Sequence, residues 1–319
     1  MHAPVSRSGP AGSAPVPPLE LEHIPVDGMR VRLGHLRPAG ATRGTVVVLP
    51  GRAEFIEKYD ETLSDVAGWG FAVAILDWRG QGGSDRYLRQ RDRGHVVQVE
   101  DYLADLAAVM ARLDHLRLPT PYLMLSHSMG GHVGLRYLHA HPDRFAGSVM
   151  SAPMFGIRLV PTPEPLARVL CAAAMRVGAG TRYAPGQRDV DLARYVFARN
   201  RLTSSPERYA SLCRHVGTTP ELALGGVTYG WLDAALASIA LTRRPGYPEA
   251  IPTPILVCQA GRELIVNNRA QIAAVRRLPN ARLVRFPEAR HELLFERDEI
   301  RDQVLAAFLD FVDEVTRRS

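Results

Sequence analysis

The fold is decided by Leu-Met-Leu-Ser-His-Ser-Met-Gly-Gly-His-Val-Gly-Leu-Arg-Tyr-Leu, residues 123–138. The apolar run 121–125 predicts a buried strand, and residues 131–139 predict a helix that starts with small residues on one face. Between them, residues 126–130 (Ser-His-Ser-Met-Gly) differ from the Gly-x-Ser-x-Gly pattern only in the first glycine. That pattern forms a tight strand-to-helix turn whose central serine has strained backbone angles and projects from the sheet edge. Ser128 is therefore the candidate nucleophile; the alternative is an ordinary turn.

Outward from this turn, apolar runs and amphipathic stretches alternate along the chain. The predicted strands are residues 29–36, 44–49, 71–76, 121–125, 146–151, 254–259 and 282–286. The predicted helices between and after them are residues 59–69, 96–116, 131–139, 267–278 and 300–316. Regular alternation of this kind predicts an α/β protein with a mostly parallel central sheet and helices on both faces.

The alternation stops after Pro153 and resumes near residue 251. Residues 154–250 contain helical patches at 165–177, 192–200, 205–216 and 228–241 but no convincing strand. This predicts a helical cap inserted into the sheet domain, and long insertions of this kind are usually functional. The predicted organisation is a disordered leader at 1–19, a core at 20–153 and 251–319, and the cap. The inner face of the cap is expected to come from Tyr229, Trp231 and an apolar stripe, Leu166, Val169, Leu170 and Ala173; the alternative for the stripe is plain packing onto the core.

Composition narrows the classes of function. The chain has 319 residues, 46% of them hydrophobic, and a net charge of +6. Its basic residues are scattered without a long run, which argues against nucleic-acid binding, while a peripheral contact with an anionic membrane surface stays open. No stretch approaches the 18 apolar residues of a membrane span. Three cysteines in no metal-binding or disulfide pattern favour a reducing compartment, so a cytoplasmic location is predicted, with a peripheral position at the inner membrane left open.

A serine nucleophile needs a base, and the base needs a carboxylate that orients it. In sheets of this type these groups follow the serine in the order acid, then histidine, each after a strand. His291 follows the last predicted strand, whereas His215 lies in the cap with no strand before it. Glu263 is the only carboxylate in the loop after the strand at 254–259. We therefore predict a catalytic set of Ser128, Glu263 and His291.

The tetrahedral intermediate of acyl transfer needs two backbone donors for its oxyanion. One is predicted to be the amide of Met129, directly after the nucleophile, and the other the amide of Arg52, in the loop after an early strand. Gly51 lets that loop turn toward the serine. Two roles stay open for the Arg52 side chain: holding the loop or binding an anionic head group. Arg168 and Arg176 are expected beside it near the entrance.

Six segments resemble the α/β-hydrolase branch that holds bacterial lysophospholipases and monoacylglycerol lipases, also catalogued as serine aminopeptidase-like hydrolases. They are residues 50–54 with Lys58-Tyr59, 77–82 (Asp-Trp-Arg-Gly-Gln-Gly), 93–95, 126–131, 225–231 (Gly-Gly-Val-Thr-Tyr-Gly-Trp) and 291–296. The resemblance implies an α/β-hydrolase fold and substrate contacts from Gly51, Glu54, Tyr229 and Trp231. Ser126 replaces a usual glycine or alanine, and Glu263 stands where many relatives carry aspartate.

The predicted function is hydrolysis of a carboxylic ester of a single-chain glycerolipid, with lysophospholipid preferred, through an acyl-enzyme on Ser128. Two alternatives stay open: a monoacylglycerol lipase or general carboxylesterase of the same fold, and a non-catalytic binding protein. No metal and no organic cofactor are predicted. His291-Glu292 begins like a zinc-protease helix, but position 295 is Phe where the second histidine would stand.

Overall fold

A computed structural model describes residues 17–40, 43–159 and 161–317, so that most of the predicted leader lies outside the described residues. The strands are β1 Glu20–Val26, β2 Met29–Leu36, β3 Thr45–Leu49, β4 Ala72–Asp77, β5 Tyr122–His127, β6 Gly147–Ser151, β7 Ile255–Ala260 and β8 Ala281–Phe286. They form one sheet in the order β1-β2-β4-β3-β5-β6-β7-β8. The β1–β2 and β2–β4 pairs are antiparallel, and all the others are parallel. The predicted mostly parallel sheet is confirmed.

The central strands are buried on both faces, as their apolar runs require. Every residue of β3, β4, β5, β6 and β7 is buried. Parallel strands covered on both sides have such near-continuous hydrophobic sequences. The edge strand β1 was missed because its sequence, Glu-Leu-Glu-His-Ile-Pro-Val, buries only two residues and carries no strong apolar signal.

The helices are α1 Asp60–Gly68, α2 Val99–His115, α3 Met129–Ala140, α4 Glu164–Arg176, α5 Pro206–Thr218, α6 Tyr229–Thr242, α7 Asn268–Val275 and α8 Asp298–Thr316. Helix α3, which follows the candidate nucleophile, packs against β3 and β5, and α8 packs against β6 and β7. None of the helices in the described ranges is both long and apolar enough to cross a membrane.

The segment between β6 and β7 contains α4, α5 and α6, and its described residues form no strand beyond isolated bridges. The helix predicted at 192–200 is wrong: this stretch makes two separate turns of 3-10 helix, Leu192–Arg194 and Phe197–Arg199. Helix α6 also reaches the sheet domain, because Ser238 on α6 hydrogen-bonds to His132 (2.7 Å) and Arg136 (2.6 Å) on α3. The proposed cap therefore includes a helix that is anchored on the core.

Candidate active site

Ser128 occupies a strained turn between β5 and α3. Its backbone angles are φ 49° and ψ −113°, a region that residues other than glycine rarely adopt. The turn passes so close to the neighbouring strand that a Cβ on Gly130 would lie 2.2 Å from the carbonyl oxygen of Leu49. Only glycine fits there. The strained strand-to-helix turn expected around Ser128 is present.

The structure brings Ser128, His291 and Glu263 together in one hydrogen-bonded chain. The His291 Nδ1 atom lies 2.7 Å from Glu263 Oε2, and His291 Nε2 lies 3.0 Å from Ser128 Oγ. A carboxylate can only accept, so Nδ1 carries the proton and Nε2 is free to accept from the serine hydroxyl. All three side chains are buried. This is the geometry of a serine activated by a base whose ring is oriented by a carboxylate.

The Glu263 carboxylate is held in place by its own loop. Its Oε1 atom accepts hydrogen bonds from the backbone amides of Ile265 (2.7 Å) and Val266 (3.2 Å), which leaves Oε2 for His291. Burial raises the pKa of Glu263, but His291 and these two amides outweigh it and hold the pKa below its usual value. Glu263 is therefore ionised at neutral pH.

The loop after β3 is fixed by the loop after β4. Trp78 Nε1 donates to the Pro50 carbonyl at 2.8 Å, and Gln81 Nε2 donates to the Gly51 carbonyl at 2.8 Å. The backbone amide of Ala53 donates to Gln81 Oε1 at 3.2 Å. Trp78 and Gln81 belong to the segment 77–82, which the sequence singled out without giving these residues a role. Their contacts hold the peptide units on either side of Arg52.

The predicted oxyanion donors lie on the two segments that flank the nucleophile. Among the hydrogen bonds of the described residues, the backbone amides of Arg52 and Met129 have no protein acceptor. Met129 begins α3 directly after Ser128, and Arg52 lies in the loop fixed by Trp78 and Gln81. Both amides therefore remain available to an oxyanion, and their assignment as its donors remains a prediction.

A cavity of about 700 Å³ opens over Ser128 and His291, in the usual size range of ligand sites. Of the predicted substrate contacts, Glu54, Tyr229 and Trp231 line it, whereas Gly51 is buried behind it against Glu54 and His127. Its apolar lining comes from both the core and the segment 154–250: Met154, Ile157, Leu159, Ala167, Leu170, Cys171, Leu212, Val216, Leu224, Leu232, Leu264 and Ile265.

The prediction that an apolar stripe of α4 faces the substrate is wrong for all its residues except Leu170. Leu170 lines the cavity, although it is partly exposed. Leu166 is 50% exposed, Val169 is 64% exposed and Ala173 is also exposed. The buried face of α4 is instead made of small residues, Ala167, Cys171 and Ala174, because α4 packs closely on α6. Leu166 and Val169 therefore point away from the core.

The arginines at the cavity also differ from expectation. Arg52 lines the cavity, but Arg168 and Arg176 are exposed on α4 and do not; Arg158, Arg194 and Arg201 line it instead. The Arg52 guanidinium donates to the Gly225 carbonyl and stacks over the Trp231 ring at 5.5 Å. No carboxylate of the described residues pairs with it, and burial lowers the pKa of Arg52 to about 10. It remains a cation that no carboxylate of the described residues neutralises.

A charged cluster lies beside the Ser128–His291 pair. The Lys58 ammonium donates to Glu54 Oε1 and to Glu292 Oε1, each at 2.6 Å. The cluster could also hold a metal ion by its spacing, because one potential ligand atom from each of Glu54, His127 and Glu292 lies within 4.8 Å of the others. In this structure the ammonium already supplies a positive charge to both carboxylates.

Sequence reasoning gave Lys58 no role. The available signal was its status as the only lysine in a chain whose other basic side chains are all arginine.

Comparisons with known proteins agree with this architecture. Residues 40–298 match the hydrolase family described as serine aminopeptidase, S33. The chain is 34% identical to lysophospholipase L2 of Escherichia coli (strain K12), covering 92% of this chain and 86% of that protein. It is 32% identical to a probable lysophospholipase L2 of Haemophilus influenzae, covering 87% and 86%.

Among solved structures, a soluble variant of monoglyceride lipase from Saccharomyces cerevisiae aligns with a TM-score of 0.73 at 18% identity, covering 94% of this chain and 97% of that chain. At that identity the likeness shows the fold alone. The family match, which spans most of the chain, and the two lysophospholipase L2 relatives named above, each more than 30% identical, carry the assignment. This chain belongs to the serine aminopeptidase S33 family of α/β-hydrolases.

Proposed function

We propose that this protein hydrolyses the carboxylic ester of a single-chain glycerolipid, with lysophospholipid as the preferred substrate, through an acyl-enzyme on Ser128. The observation that carries the proposal is the chain from Ser128 Oγ through His291 to Glu263, at 3.0 and 2.7 Å, beneath a largely apolar cavity. The names of the two relatives above 30% identity support the lysophospholipid class.

In the proposed reaction, His291 Nε2 takes the Ser128 proton as Oγ attacks the ester carbonyl. The ionised Glu263 stabilises the imidazolium, and the amides of Arg52 and Met129 stabilise the oxyanion; each such donor is worth about 3 kcal/mol. His291 then protonates the leaving glycerol oxygen and activates a water that hydrolyses the acyl-enzyme. The chemistry uses only protein groups and water.

The cavity supports a substrate with one acyl chain and an anionic head group. Its apolar lining from 154–250 suits an acyl chain, since burying each methylene is worth about 0.8 kcal/mol. The Arg52 guanidinium lacks a carboxylate partner among the described residues and faces the same cavity. A phosphate would supply the missing counter-charge. The Arg52 guanidinium therefore favours lysophospholipid over monoacylglycerol, whose head group is neutral.

We expect kcat/KM for a lysophospholipid to exceed that for the monoacylglycerol with the same acyl chain by about tenfold, because one charge-assisted hydrogen bond is worth about 1.5–3 kcal/mol. Added salt should reduce this preference, and Arg52→Met should lower the ratio of the two kcat/KM values. A tenfold preference for monoacylglycerol, or a ratio that neither salt nor Arg52→Met changes, would reject the head-group argument and leave a monoacylglycerol lipase or carboxylesterase of the same fold.

We further propose that the outer face of α4 rests on an anionic membrane surface. Leu166 and Val169 are exposed large apolar residues, and Arg168 and Arg176 are exposed on the same helix. Leu170 belongs to this exposed face and also lines the cavity, so the face borders the opening through which a lipid would enter. Apolar side chains flanked by arginines suit the head-group region of an anionic bilayer.

Replacing Leu166 and Val169 together by serine should weaken sedimentation with phosphatidylglycerol vesicles by about tenfold, because two apolar side chains no longer enter the interface. Turnover of a short, water-soluble aryl ester should be unchanged. Leu21→Ser is the matched control, since Leu21 is 53% exposed on the edge strand β1, far along the sheet from the nucleophile strand. Equal vesicle binding by the α4 variant and the control would contradict the proposal.

A further inference from the structure

One buried ammonium joins the two loops that flank the candidate nucleophile. Lys58 Nζ lies 2.6 Å from Glu54 Oε1 and 2.6 Å from Glu292 Oε1, and the three side chains are only 3–6% exposed. Glu54 lies two residues after Arg52, the proposed oxyanion donor. Glu292 directly follows His291, the proposed base. The three charges therefore bridge the oxyanion side and the base side of the site.

The Glu54 end of the bridge is fixed by further bonds. Glu54 Oε2 accepts from the backbone amide of Gly51 and, at 2.7 Å, from the Tyr59 hydroxyl. Burial raises the pKa of Glu54, but the Lys58 ammonium and the hydrogen bond from Tyr59 help to outweigh it, and the pKa is lowered to about 2. The Glu54 carboxylate is thus an ionised anchor that orients the Pro50–Gly51 peptide, one peptide unit before the one that carries the Arg52 amide.

The Glu292 end is tied to the base loop and to the segment 154–250. The backbone amide of Glu292 donates to the Leu202 carbonyl at 2.8 Å, and its carboxylate meets Lys58. Burial and the nearby Glu54 charge raise the pKa of Glu292. The His127 ring lies beside both carboxylates, with a ring nitrogen within 4.8 Å of an oxygen of each, and its centre is 4.7 Å from that of the His291 ring. Burial lowers the pKa of His127 to about 3, so that it is neutral.

Stability does not account for this arrangement. Desolvating three charged groups costs several kcal/mol each, and an apolar trio of similar volume is often as stable or more so. The bridge also contains two carboxylates and one ammonium, so the ammonium alone does not balance both negative charges. Three apolar side chains at these positions would make no directional bonds, so they would not link the two loops at a fixed length.

We propose that Lys58 is a positioning residue whose ammonium holds the loop of Arg52 and the loop of His291 at a fixed separation. At that separation the oxyanion donor on one loop and the base on the other can act on the same ester at Ser128. The inference rests on the serine-hydrolase part of the proposed function and is independent of which lipid is the substrate. Lys58 acts through its two carboxylate partners and takes no part in the bond changes.

The test is Lys58→Met, which keeps an unbranched side chain as far as the Cε position and removes the ammonium. With a short aryl ester, kcat should fall about 10- to 100-fold while KM changes less than about threefold, because misplacing reacting groups by an ångström costs rate. The rate of Ser128 labelling by a fluorophosphonate should fall by a similar factor. A merely structural role would lower the amount of folded protein without slowing each folded molecule.

Arg208→Met is the matched control. Arg208 also bridges two carboxylates, Glu61 at 2.6 Å and Asp298 at 2.8 Å, but it ties α5 to α1 and α8. Its loss should lower the thermal stability and leave kcat close to that of the wild type.

If Lys58→Met does not fold, Glu292→Gln is the deciding variant, since it keeps the shape of the side chain and an acceptor for Lys58 but removes one charge. Its kcat should fall about fivefold or more with KM unchanged.

A folded Lys58→Met protein with wild-type kcat and labelling rate overturns the inference, as does an unchanged kcat in Glu292→Gln when Lys58→Met is unfolded. Failure of the proposed function would look different. In that case the wild-type protein itself would neither turn over the aryl ester nor react with the fluorophosphonate.

Discussion

Ser128→Ala is expected to lower kcat for every ester substrate by about 10⁴- to 10⁶-fold, the scale on which serine hydrolases lose rate when the nucleophile is removed. The variant should still fold. Ser128 is held mainly through its backbone, with its amide 3.0 Å from the Ser151 carbonyl and its carbonyl 2.9 Å from the Met154 amide, and alanine keeps both bonds. Steady-state hydrolysis and a thermal melt measure the two effects.

Ser126→Ala is the matched control for this experiment. Ser126 is also buried and lies two residues earlier, but within the described part of the chain its hydroxyl hydrogen-bonds only to the Val149 carbonyl, at 3.5 Å. Its replacement should leave kcat within about threefold of the wild type, since small side chains are tolerated at this position of the turn. A Ser128→Ala protein that keeps about a tenth of the activity would contradict the assignment of the nucleophile.

Glu263→Gln should lower kcat by about 10²- to 10⁴-fold, because a neutral amide neither stabilises the imidazolium nor enforces the tautomer with the proton on Nδ1 of His291. Its size is nearly unchanged, so the loop should keep its backbone. In the wild type the pKa of Glu263 is lowered. Its stabilising contribution is therefore complete above the pKa of an unfolded glutamate and is lost as the pH falls through the folded pKa.

The pH dependence of unfolding gives this prediction a second measurement. Between these two pKa values, the wild type should lose stability on acidification more steeply than Glu263→Gln. Glu288→Gln is the control, because Glu288 lies three residues before His291 but pairs with Arg262 at the surface. Full activity in Glu263→Gln would show that another group orients His291.

Much of the fold could be predicted because its central strands are uniformly apolar. The strands predicted at 29–36, 44–49 and 146–151 agree with β2, β3 and β6 to within one residue at each end. That Ser128, Glu263 and His291 lie together could be predicted from chain order, since a parallel sheet brings the carboxyl ends of its strands to one edge. Glu263 could be singled out because its loop contains no other carboxylate.

The errors arose where tertiary packing outweighed the local pattern. On α4 the large apolar residues predicted the inner face, but close packing against α6 selects Ala167, Cys171 and Ala174. The Lys58 bridge could not be predicted, because Glu54 and Glu292 are 238 positions apart and only the folded chain brings them together.

The most direct measurement of the central claim is the mass of the protein after reaction with a fluorophosphonate, followed by peptide mapping of the adduct. A single adduct on Ser128, formed as esterase activity is lost, is the predicted result. Saturating lysophospholipid should slow its formation, and Ser128→Ala should not react. An adduct on a different serine, or full esterase activity in a protein that carries no adduct, would contradict the proposed mechanism.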